Sequence, residues 1–283
     1  MKLKELIQIT KDKLNEKYYL ARTLIKDTLN VDENYLTIND DLEISQNIVE
    51  KIMKRVNEIN SGIPIQYLTN SQEFMGEKFY VDENVLIPQP DTEVVALNAI
   101  KIIEEMLKKN EKINNINVLD LCTGSGVIAI SILNYLKENI NKISMYATDI
   151  SDKALEIAKK NEKNILKSSS KINFIKSDMF DNLKDIKFDL IVSNPPYIKT
   201  SVIESLSNEV KNEPHIALDG GADGLKFYRI IWNNKGSYLK KDGYIVLEIG
   251  FDQREDVQKI FKNSTCIKDY AGNDRVIIYK NDN

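Results

Sequence analysis

The feature that most constrains the fold is an alternation of short apolar runs and longer amphipathic segments, which begins near Ile116. This alternation is typical of β-strands separated by α-helices, and such units build a mainly parallel sheet covered on both faces. The predicted strands are INVLDL, SMYATDI, INFIK, FDLIVS and GYIVLEI, and the predicted helices are the segment from Val127, DKALEIAKKNEKN, DGLKFYRIIWNN and REDVQKIFK. The tail TCIKDYAGNDRVIIYK has two runs and no helix between them, which predicts a closing antiparallel hairpin on a doubly wound α/β sheet.

The first part of the chain shows helical periodicity instead. Its predicted helices are LKELIQITKDKLNEK, YYLARTLIKDTLN and SQNIVEKIMKRVNEINSG, the third with an apolar stripe of Ile48, Ile52, Val56 and Ile59. Ser45 is placed to cap that helix and Gly62 to end it. The following stretch, rich in aromatic and β-branched residues with Gly and Pro, predicts a β-hairpin. The predicted domains are a helical domain over 1–70, a linker hairpin over 71–90 and an α/β domain over 91–283.

Composition and charge limit the partners, metal sites and cellular location that we expect for this chain. The net charge is −4 and no long stretch is basic, whereas a protein that grips a duplex normally needs a basic face. Cys122, Cys266 and the single His215 offer neither a disulfide framework nor a metal site, so no metal is predicted. The charged, amphipathic N-terminus is unlike a signal peptide and the apolar runs are far shorter than a membrane span, so we expect a cytoplasmic protein.

A glycine-containing loop follows the first strand of the sheet. In VLDLCTGSGVIAI, Gly124 and Gly126 lie where the backbone can approach a ligand at the start of a helix. Asp149 ends the second strand and can accept both hydroxyls of a ribose. The two features predict a site for an adenosine-type cofactor, either NAD or S-adenosylmethionine. The alternative is that the glycines only form a tight turn and Asp149 caps the next helix.

Two further residues follow the third strand at the same edge. In KSDMF, Asp178 could accept the adenine amino group and Met179 could pack on the ring. A loop without any binding role is the alternative for this pair.

The motif Asn194-Pro195-Pro196-Tyr197 ends the fourth strand. Two prolines hold the Asn194 side-chain carbonyl and the Pro195 main-chain carbonyl as acceptors suited to a planar NH2 group, while Tyr197 would form an apolar wall. An amide nitrogen so held could attack an activated sulfonium methyl group, which favours S-adenosylmethionine over NAD. The alternative is a stiff loop without chemistry.

The motifs PIQYLTNSQEFMG, VLIPQPDTE, DLCTGSG, NPPYI and NEPHIALDGGADGLKFYRII resemble the HemK/PrmC family, from about residue 60 to the C-terminus. The resemblance implies a class I, Rossmann-like methyltransferase that acts in translation termination. Its implied reaction is methylation of the glutamine side-chain nitrogen (N5) in the GGQ motif of peptide chain release factors. The implied cofactor is S-adenosyl-L-methionine and the implied product S-adenosyl-L-homocysteine.

Carried over by position, the resemblance assigns a role to each matching residue. The implied cofactor residues are Cys122, Thr123, Gly124, Ser125, Gly126, Asp149, Met179 and Asn194, and the substrate residues are Asn194, Pro195, Pro196 and Tyr197. The helical domain would help to dock the release factor, and we expect a monomer.

Three positions depart from the family pattern: Cys122 replaces a usual glycine, Gln89 a usual arginine, and Met179 a frequent aromatic residue. The cysteine is expected to be tolerated if its position needs no positive φ. The main rival is an adenine-N6 or guanine-N2 methyltransferase acting on DNA or RNA, since the same motif would hold a base amine. A non-catalytic cofactor-binding protein would be expected to have a damaged acceptor motif. The Asn-Pro-Pro-Tyr motif of this chain is intact, which disfavours that alternative.

Overall fold

The computed structural model describes residues 1–109, 115–167, 172–184 and 186–282. The chain forms two compact units: Met1–Ser71 with Leu206–Asn212, and Gln72–Ser205 with Glu213–Asn283. Residues 206–212 thus belong to the helical unit, although they are distant from it in sequence.

The first unit is helical. Its helices are α1 (Leu3–Leu14), α2 (Ala21–Leu29), α3 (Glu33–Ile38), α4 (Gln46–Asn60), α5 (Ile65–Thr69) and the short α10 (Asn208–Lys211), with a 3-10 segment at Asn15–Leu20. Helix α4 follows Ser45 as predicted, and Gly62 lies just beyond its end with a φ of 100°. Its buried stripe is Val49, Ile52, Val56 and Ile59, while Ile48 is only partly buried.

Two local predictions in this region were wrong. The second helix begins at Ala21 and not at Tyr18, because Asn15 has a φ of 50° and Lys17 is non-helical, so the chain makes a 3-10 segment first. Helix α5 forms at the start of the stretch predicted as a hairpin, and it buries Ile65 in the core of the helical unit. Tertiary burial thus overrides the β-propensity of this short segment.

The second unit begins with the hairpin β1 (Gln72–Phe74) and β2 (Glu77–Phe79). The remaining strands are β3 (Ile116–Leu121), β4 (Ile143–Asp149), β5 (Ile172–Lys176), β6 (Phe188–Ser193), β7 (Leu239–Glu248), β8 (Thr265–Lys268) and β9 (Asp274–Lys280). The helices are α6 (Thr92–Lys109), α7 (Val127–Tyr135), α8 (Asp152–Ile165), α9 (Thr200–Ile203), α11 (His215–Leu218), α12 (Lys226–Tyr238) and α13 (Arg254–Ile260), with a 3-10 segment at Lys137–Lys142.

Strands β3 to β9 form one sheet in the order β5-β4-β3-β6-β7-β9-β8. Strands β5, β4, β3, β6 and β7 are parallel, and β9 runs antiparallel between β7 and β8. The predicted doubly wound sheet with a closing antiparallel hairpin is therefore confirmed. The order reverses between β3 and β6, and open α/β sheets bind ligands at such a switch point, beyond the carboxyl ends of the strands.

The sheet is covered by helices on both faces. Val118 of β3 packs in a cluster with residues of α6 and α7, whereas the next residue, Leu119, packs in a second cluster with residues of α12 and α13. Residues 92–109, where α6 forms, were not predicted as a helix. The buried residues of α6 are Thr92, Val94, Val95, Ala96, Ala99, Ile100, Ile102 and Ile103. Exposed charged residues lie on the opposite side at Lys101, Glu105 and Lys108. This spacing is helical, so the sequence carried a usable signal that was missed.

The described helices include none with the length and apolar character needed to cross a membrane.

Candidate active site

A cavity lies at the carboxyl ends of the parallel strands, between the loops that follow β3, β4, β5 and β6. It is lined by residues 84–86, Cys122, Gly124, Thr148, Asp149, Ile150, Ser151, Ala154, Ser177, Asp178, Met179, Asn194, Pro196, Pro214, Ile216, Ala217, Lys226 and Phe227. Parallel strands present their carboxyl ends at one edge, so residues far apart in sequence meet there. Six predicted cofactor residues line this cavity: Cys122, Gly124, Asp149, Asp178, Met179 and Asn194.

The two loop glycines have different physical roles. Gly124 lines the cavity with a φ of 55°, and a Cβ built on it would meet nothing within 4 Å. Open space beside this backbone fits the close approach of a cofactor. A Cβ on Gly126 would lie 2.8 Å from Ile130 Cδ1 and 3.1 Å from Ala158 Cβ, so this glycine permits α7 to pack on α8.

Thr123 and Ser125 are buried below the loop, and like Gly126 they are not among the lining residues. The Thr123 hydroxyl donates to Asp120 Oδ2 at 2.7 Å, and the Ala129 amide donates to the same oxygen at 3.2 Å. Burial raises the pKa of Asp120 to about 7. Asp120 was not predicted as a site residue, although a charged residue inside the apolar run INVLDL was a usable signal.

Asp149 connects the loops that follow β3 and β4. Its Oδ2 accepts the Gly124 amide at 2.9 Å and its Oδ1 accepts the Ser151 amide at 2.9 Å. Burial raises the pKa of Asp149, and these amide hydrogen bonds oppose that shift. The cap of α8 is Ser151, whose side chain accepts the Ala154 amide at 3.2 Å. The Ile150 amide is a third hydrogen-bond partner of this carboxylate, which still leaves an acceptor site that fits a ribose hydroxyl.

Cys122 was expected to be tolerated in place of glycine only if its position needs no positive φ, and that condition is not met. Its φ is 59°, so the position does require the left-handed region, at a cost of about 1–2 kcal/mol for a residue with a Cβ. Its Sγ lies 3.8 Å from Met179 Sδ, and Met179 is buried with a φ of 47°. Burial raises the pKa of the Cys122 thiol well above its usual value. Asp178, in contrast, is exposed at the cavity rim.

The Asn-Pro-Pro-Tyr turn begins directly after β6. Asn194 and Pro196 line the cavity, whereas Pro195 and Tyr197 are not among its lining residues. The Asn194 Nδ2 group donates to Thr92 Oγ1 at 3.1 Å. Among the described residues, no donor forms a hydrogen bond with the Pro195 carbonyl. The Tyr197 hydroxyl donates to Glu248 Oε1 at 3.2 Å, so it contacts a buried carboxylate at the end of β7.

Glu248 is the principal residue that sequence reasoning missed. It is only 1% exposed and also accepts the Thr92 hydroxyl at 2.6 Å. Burial raises the pKa of Glu248 to about 7, while Thr92, Arg275 and Tyr197 lower it. Its signal was a carboxylate at the end of the apolar strand GYIVLEI, at the same edge as the turn.

Glu213 was also missed. It is 8% exposed, and its Oε2 accepts the Ile87 amide at 2.8 Å, which ties the loop before α6 to the segment that begins α11. Burial raises the pKa of Glu213 to about 7. Gln89, which departs from the family pattern, is exposed; its Nε2 donates to the Ile87 carbonyl at 3.0 Å.

The fold has a relative among solved structures. The catalytic domain of hMettl16 matches with a TM-score of 0.53 and 16% identity, over 92% of this chain and 89% of that one. At this identity the match shows a shared fold.

Sequence comparisons are more specific. The family model described as "Methyltransferase small domain" matches residues 98–222. A release factor glutamine methyltransferase from Fusobacterium nucleatum is 40% identical over 91% of this chain and 71% of its own. Proteins of the same name from Clostridium acetobutylicum and Aquifex aeolicus are 36% and 34% identical, and cover 93% and 98% of this chain and 92% and 95% of their own. The chain therefore belongs to the release factor glutamine methyltransferase family.

Proposed function

We propose that this protein methylates the glutamine side-chain nitrogen (N5) in the GGQ motif of peptide chain release factors, with S-adenosyl-L-methionine as methyl donor. The relatives' shared name supports this substrate. The observation that carries the proposal is the state of Asn194: it lines the cavity, and its NH2 group is engaged by Thr92. Its carbonyl oxygen is thereby left to accept a hydrogen bond from an N–H group of a substrate amide.

The cofactor is assigned to the residues around the glycine loop. The Gly124 backbone borders open space, Asp149 would accept the ribose hydroxyls, and Met179 with Asp178 would hold the adenine. Cys122 lines the same cavity, whereas Thr123, Ser125 and Gly126 support the loop from beneath. When bound, S-adenosyl-L-methionine supplies an electrophilic sulfonium methyl group.

The substrate nitrogen is assigned to Asn194 and Pro195. An amide nitrogen is a poor nucleophile because its lone pair is delocalised into the carbonyl group. The Asn194 Oδ1 atom and the Pro195 carbonyl would accept hydrogen bonds from its two N–H groups and so fix the direction of its lone pair. Pro196 stiffens the turn, and the Tyr197 hydroxyl anchors it to Glu248.

The helical unit is proposed to dock the release factor. It presents large apolar side chains to solvent, with Tyr18 59%, Tyr19 67% and Ile38 78% exposed. Residues 206–212 belong to this unit and follow the Asn-Pro-Pro-Tyr motif closely in sequence. The enzyme is proposed to act in the cytoplasm as a monomer.

Labelled S-adenosyl-L-methionine tests the substrate. Purified enzyme is offered the release factor, a release factor whose GGQ glutamine is replaced by alanine, DNA and ribosomal RNA. We expect label on the first substrate alone. Label on nucleic acid, or equal label on the alanine variant, would contradict the proposal and favour the base methyltransferase.

The Asn194→Ala variant tests the site. Transfer should fall at least 100-fold because the amide acceptor is lost, while cofactor affinity measured by calorimetry should change less than about fivefold. Transfer at a rate close to that of the wild type would refute the role of Asn194.

A further inference from the structure

Four side chains form a continuous hydrogen-bonded chain behind the cavity. The Asn194 Nδ2 group donates to Thr92 Oγ1 at 3.1 Å, and the Thr92 hydroxyl donates to Glu248 Oε2 at 2.6 Å. The other carboxylate oxygen of Glu248 accepts the Tyr197 hydroxyl at 3.2 Å. Thr92 is 3% exposed and Glu248 is 1% exposed, so neither partner can exchange its hydrogen bonds with bulk water.

The direction of this chain determines how the Asn194 amide is oriented. A threonine hydroxyl has one proton, and the 2.6 Å contact is typical of a hydroxyl that donates to a carboxylate. Having donated to Glu248, Thr92 can only accept from Asn194. The amide must therefore present its NH2 group to Thr92, and its carbonyl oxygen remains for the substrate.

Protonation of Glu248 would reverse the chain. A carboxylic acid at this position would donate to Thr92, whose own proton would then turn toward Asn194. Asn194 would satisfy that donor with its carbonyl oxygen and present its NH2 group on the cavity side. The NH2 group would then face the substrate N–H group that the Asn194 carbonyl otherwise accepts, so that acceptor would be lost and only the Pro195 carbonyl would remain.

We propose that Glu248, acting through Thr92, is a positioning residue that holds the Asn194 carbonyl toward the substrate, and that methyl transfer requires Glu248 to be ionised. This inference rests on the proposed function, because the substrate is the amide assigned there. Neither Glu248 nor Thr92 is among the lining residues of the cavity, so both act through Asn194 and not by contact with the substrate.

Burial and the neighbouring charges together place the pKa of Glu248 near neutral pH. The titratable and charged groups that face it are Asp91 ahead of α6, Tyr197 after β6, Tyr228 of α12 and Arg275 of β9. Arg275 Nη2 also lies 3.1 Å from carboxylate oxygens of both Asp91 and Asp269, so its charge is shared. Burial therefore dominates, and the pKa of Glu248 rises to about 7.

Thr92→Val and Thr92→Ser form a matched pair, because only the serine retains a hydroxyl. Thr92→Val should lower kcat about tenfold, and Thr92→Ser should restore most of that loss. The Kd for S-adenosyl-L-methionine should stay within about twofold of wild type in both. Equal kcat for valine and threonine, or an equal loss in both variants, would overturn the inference.

The pH profile separates positioning from a purely structural role. Wild-type kcat should fall as pH drops below about 7, approaching tenfold per pH unit, and this limb should flatten in Thr92→Val, where the carboxyl remains but its link to Asn194 is lost. Glu248→Gln should also lack the limb. If Thr92→Val kept the acid limb, the limb would belong to another group, such as Asp120 or Glu213, and the inference would be overturned.

A readout independent of transfer distinguishes this inference from the proposed function. In asparagine-labelled protein, the Asn194 side-chain NH2 signal is assigned by its loss in Asn194→Ala. It should shift with pH around a midpoint near 7 in wild type and show no such titration in Thr92→Val. A wild-type enzyme that shows this titration without transfer to the release factor refutes the proposed substrate; transfer without the titration refutes the role of Glu248.

Discussion

Asn194 could be predicted from the local sequence, whereas the residue that orients its side chain could not. The sequence placed its carboxamide at the end of a strand beside two prolines, and the structure confirms that position. Thr92, which engages the NH2 group, is 102 residues away in sequence. The role of Thr92 could not be inferred locally, because a threonine at a helix start is ordinary.

Asp149 carries a prediction about the cofactor. In Asp149→Asn, one of the two backbone amides that the carboxylate accepts would face an NH2 group instead of an oxygen. We expect the Kd for S-adenosyl-L-methionine, measured by calorimetry, to rise at least tenfold.

Asp178→Asn is the matched control for that change, since this exposed carboxylate lines the same cavity. Although Asp178 is assigned a contact with the adenine, its effect on the Kd should be about threefold or less, because water competes for that contact at an exposed carboxylate. An equal loss in both variants would contradict the assignment of the ribose to Asp149.

The turn after β6 is supported by a glycine-containing loop that the sequence analysis quoted only as a family motif. The Gly220 amide donates to the Ile198 carbonyl at 2.8 Å, and a Cβ on Gly220 would lie 2.7 Å from Tyr197 Cα and 2.8 Å from Tyr197 C. The two segments can approach this closely only because Gly220 lacks a side chain.

Gly220→Ala should therefore disturb the Asn-Pro-Pro-Tyr turn. We expect the free energy of unfolding to fall by about 2 kcal/mol and kcat to fall at least tenfold, because the backbone atoms of Tyr197 must move. Denaturant titration and initial rates measure the two effects.

Gly236→Ala serves as its control. Gly236 lies within α12, and a Cβ there would meet nothing within 4 Å. This substitution should raise stability by about 0.8 kcal/mol and leave kcat unchanged. If Gly220→Ala behaved like Gly236→Ala, the close contact would not constrain the turn.

Three buried carboxyls are expected to make the free energy of unfolding of the whole molecule depend on pH. Burial raises the pKa values of Asp120, Glu213 and Glu248 to about 7, from ordinary values of 3.8 for aspartate and 4.5 for glutamate. Between these limits the folded protein binds more protons than the unfolded chain, so the free energy of unfolding falls as pH rises.

Calorimetry should therefore give a thermal midpoint about 5 °C higher at pH 5.5 than at pH 7.5. The range stays above pH 5 because Asp41 and Asp223, whose pKa values are lowered to about 2 by lysine and arginine partners, destabilise the fold only in stronger acid. Glu213→Gln should flatten part of the slope. A midpoint that rises between pH 5.5 and 7.5 would show that these carboxyls are ionised without cost.

By itself the sequence determined the alternation of strands and helices, the closing hairpin and the rim positions of Gly124, Asp149 and Asn194. These follow from local periodicity and from the rule that parallel strands end at one edge. Helix α6 was missed although its apolar residues recur at helical spacing. The positive φ of Cys122 could not be predicted, because a residue with a Cβ rarely adopts it.

Only the tertiary structure decided which side chains support the turn. The pairing of β6 with β7 sets Ser193 opposite Leu247, which brings Asn194 and Glu248 to the same rim, and α6 delivers Thr92 between them. Hydrogen bonds between buried groups depend on this packing. The orientation of the Asn194 side-chain amide thus depends on the tertiary packing around the sheet, whereas its position at the rim could be predicted from the local sequence.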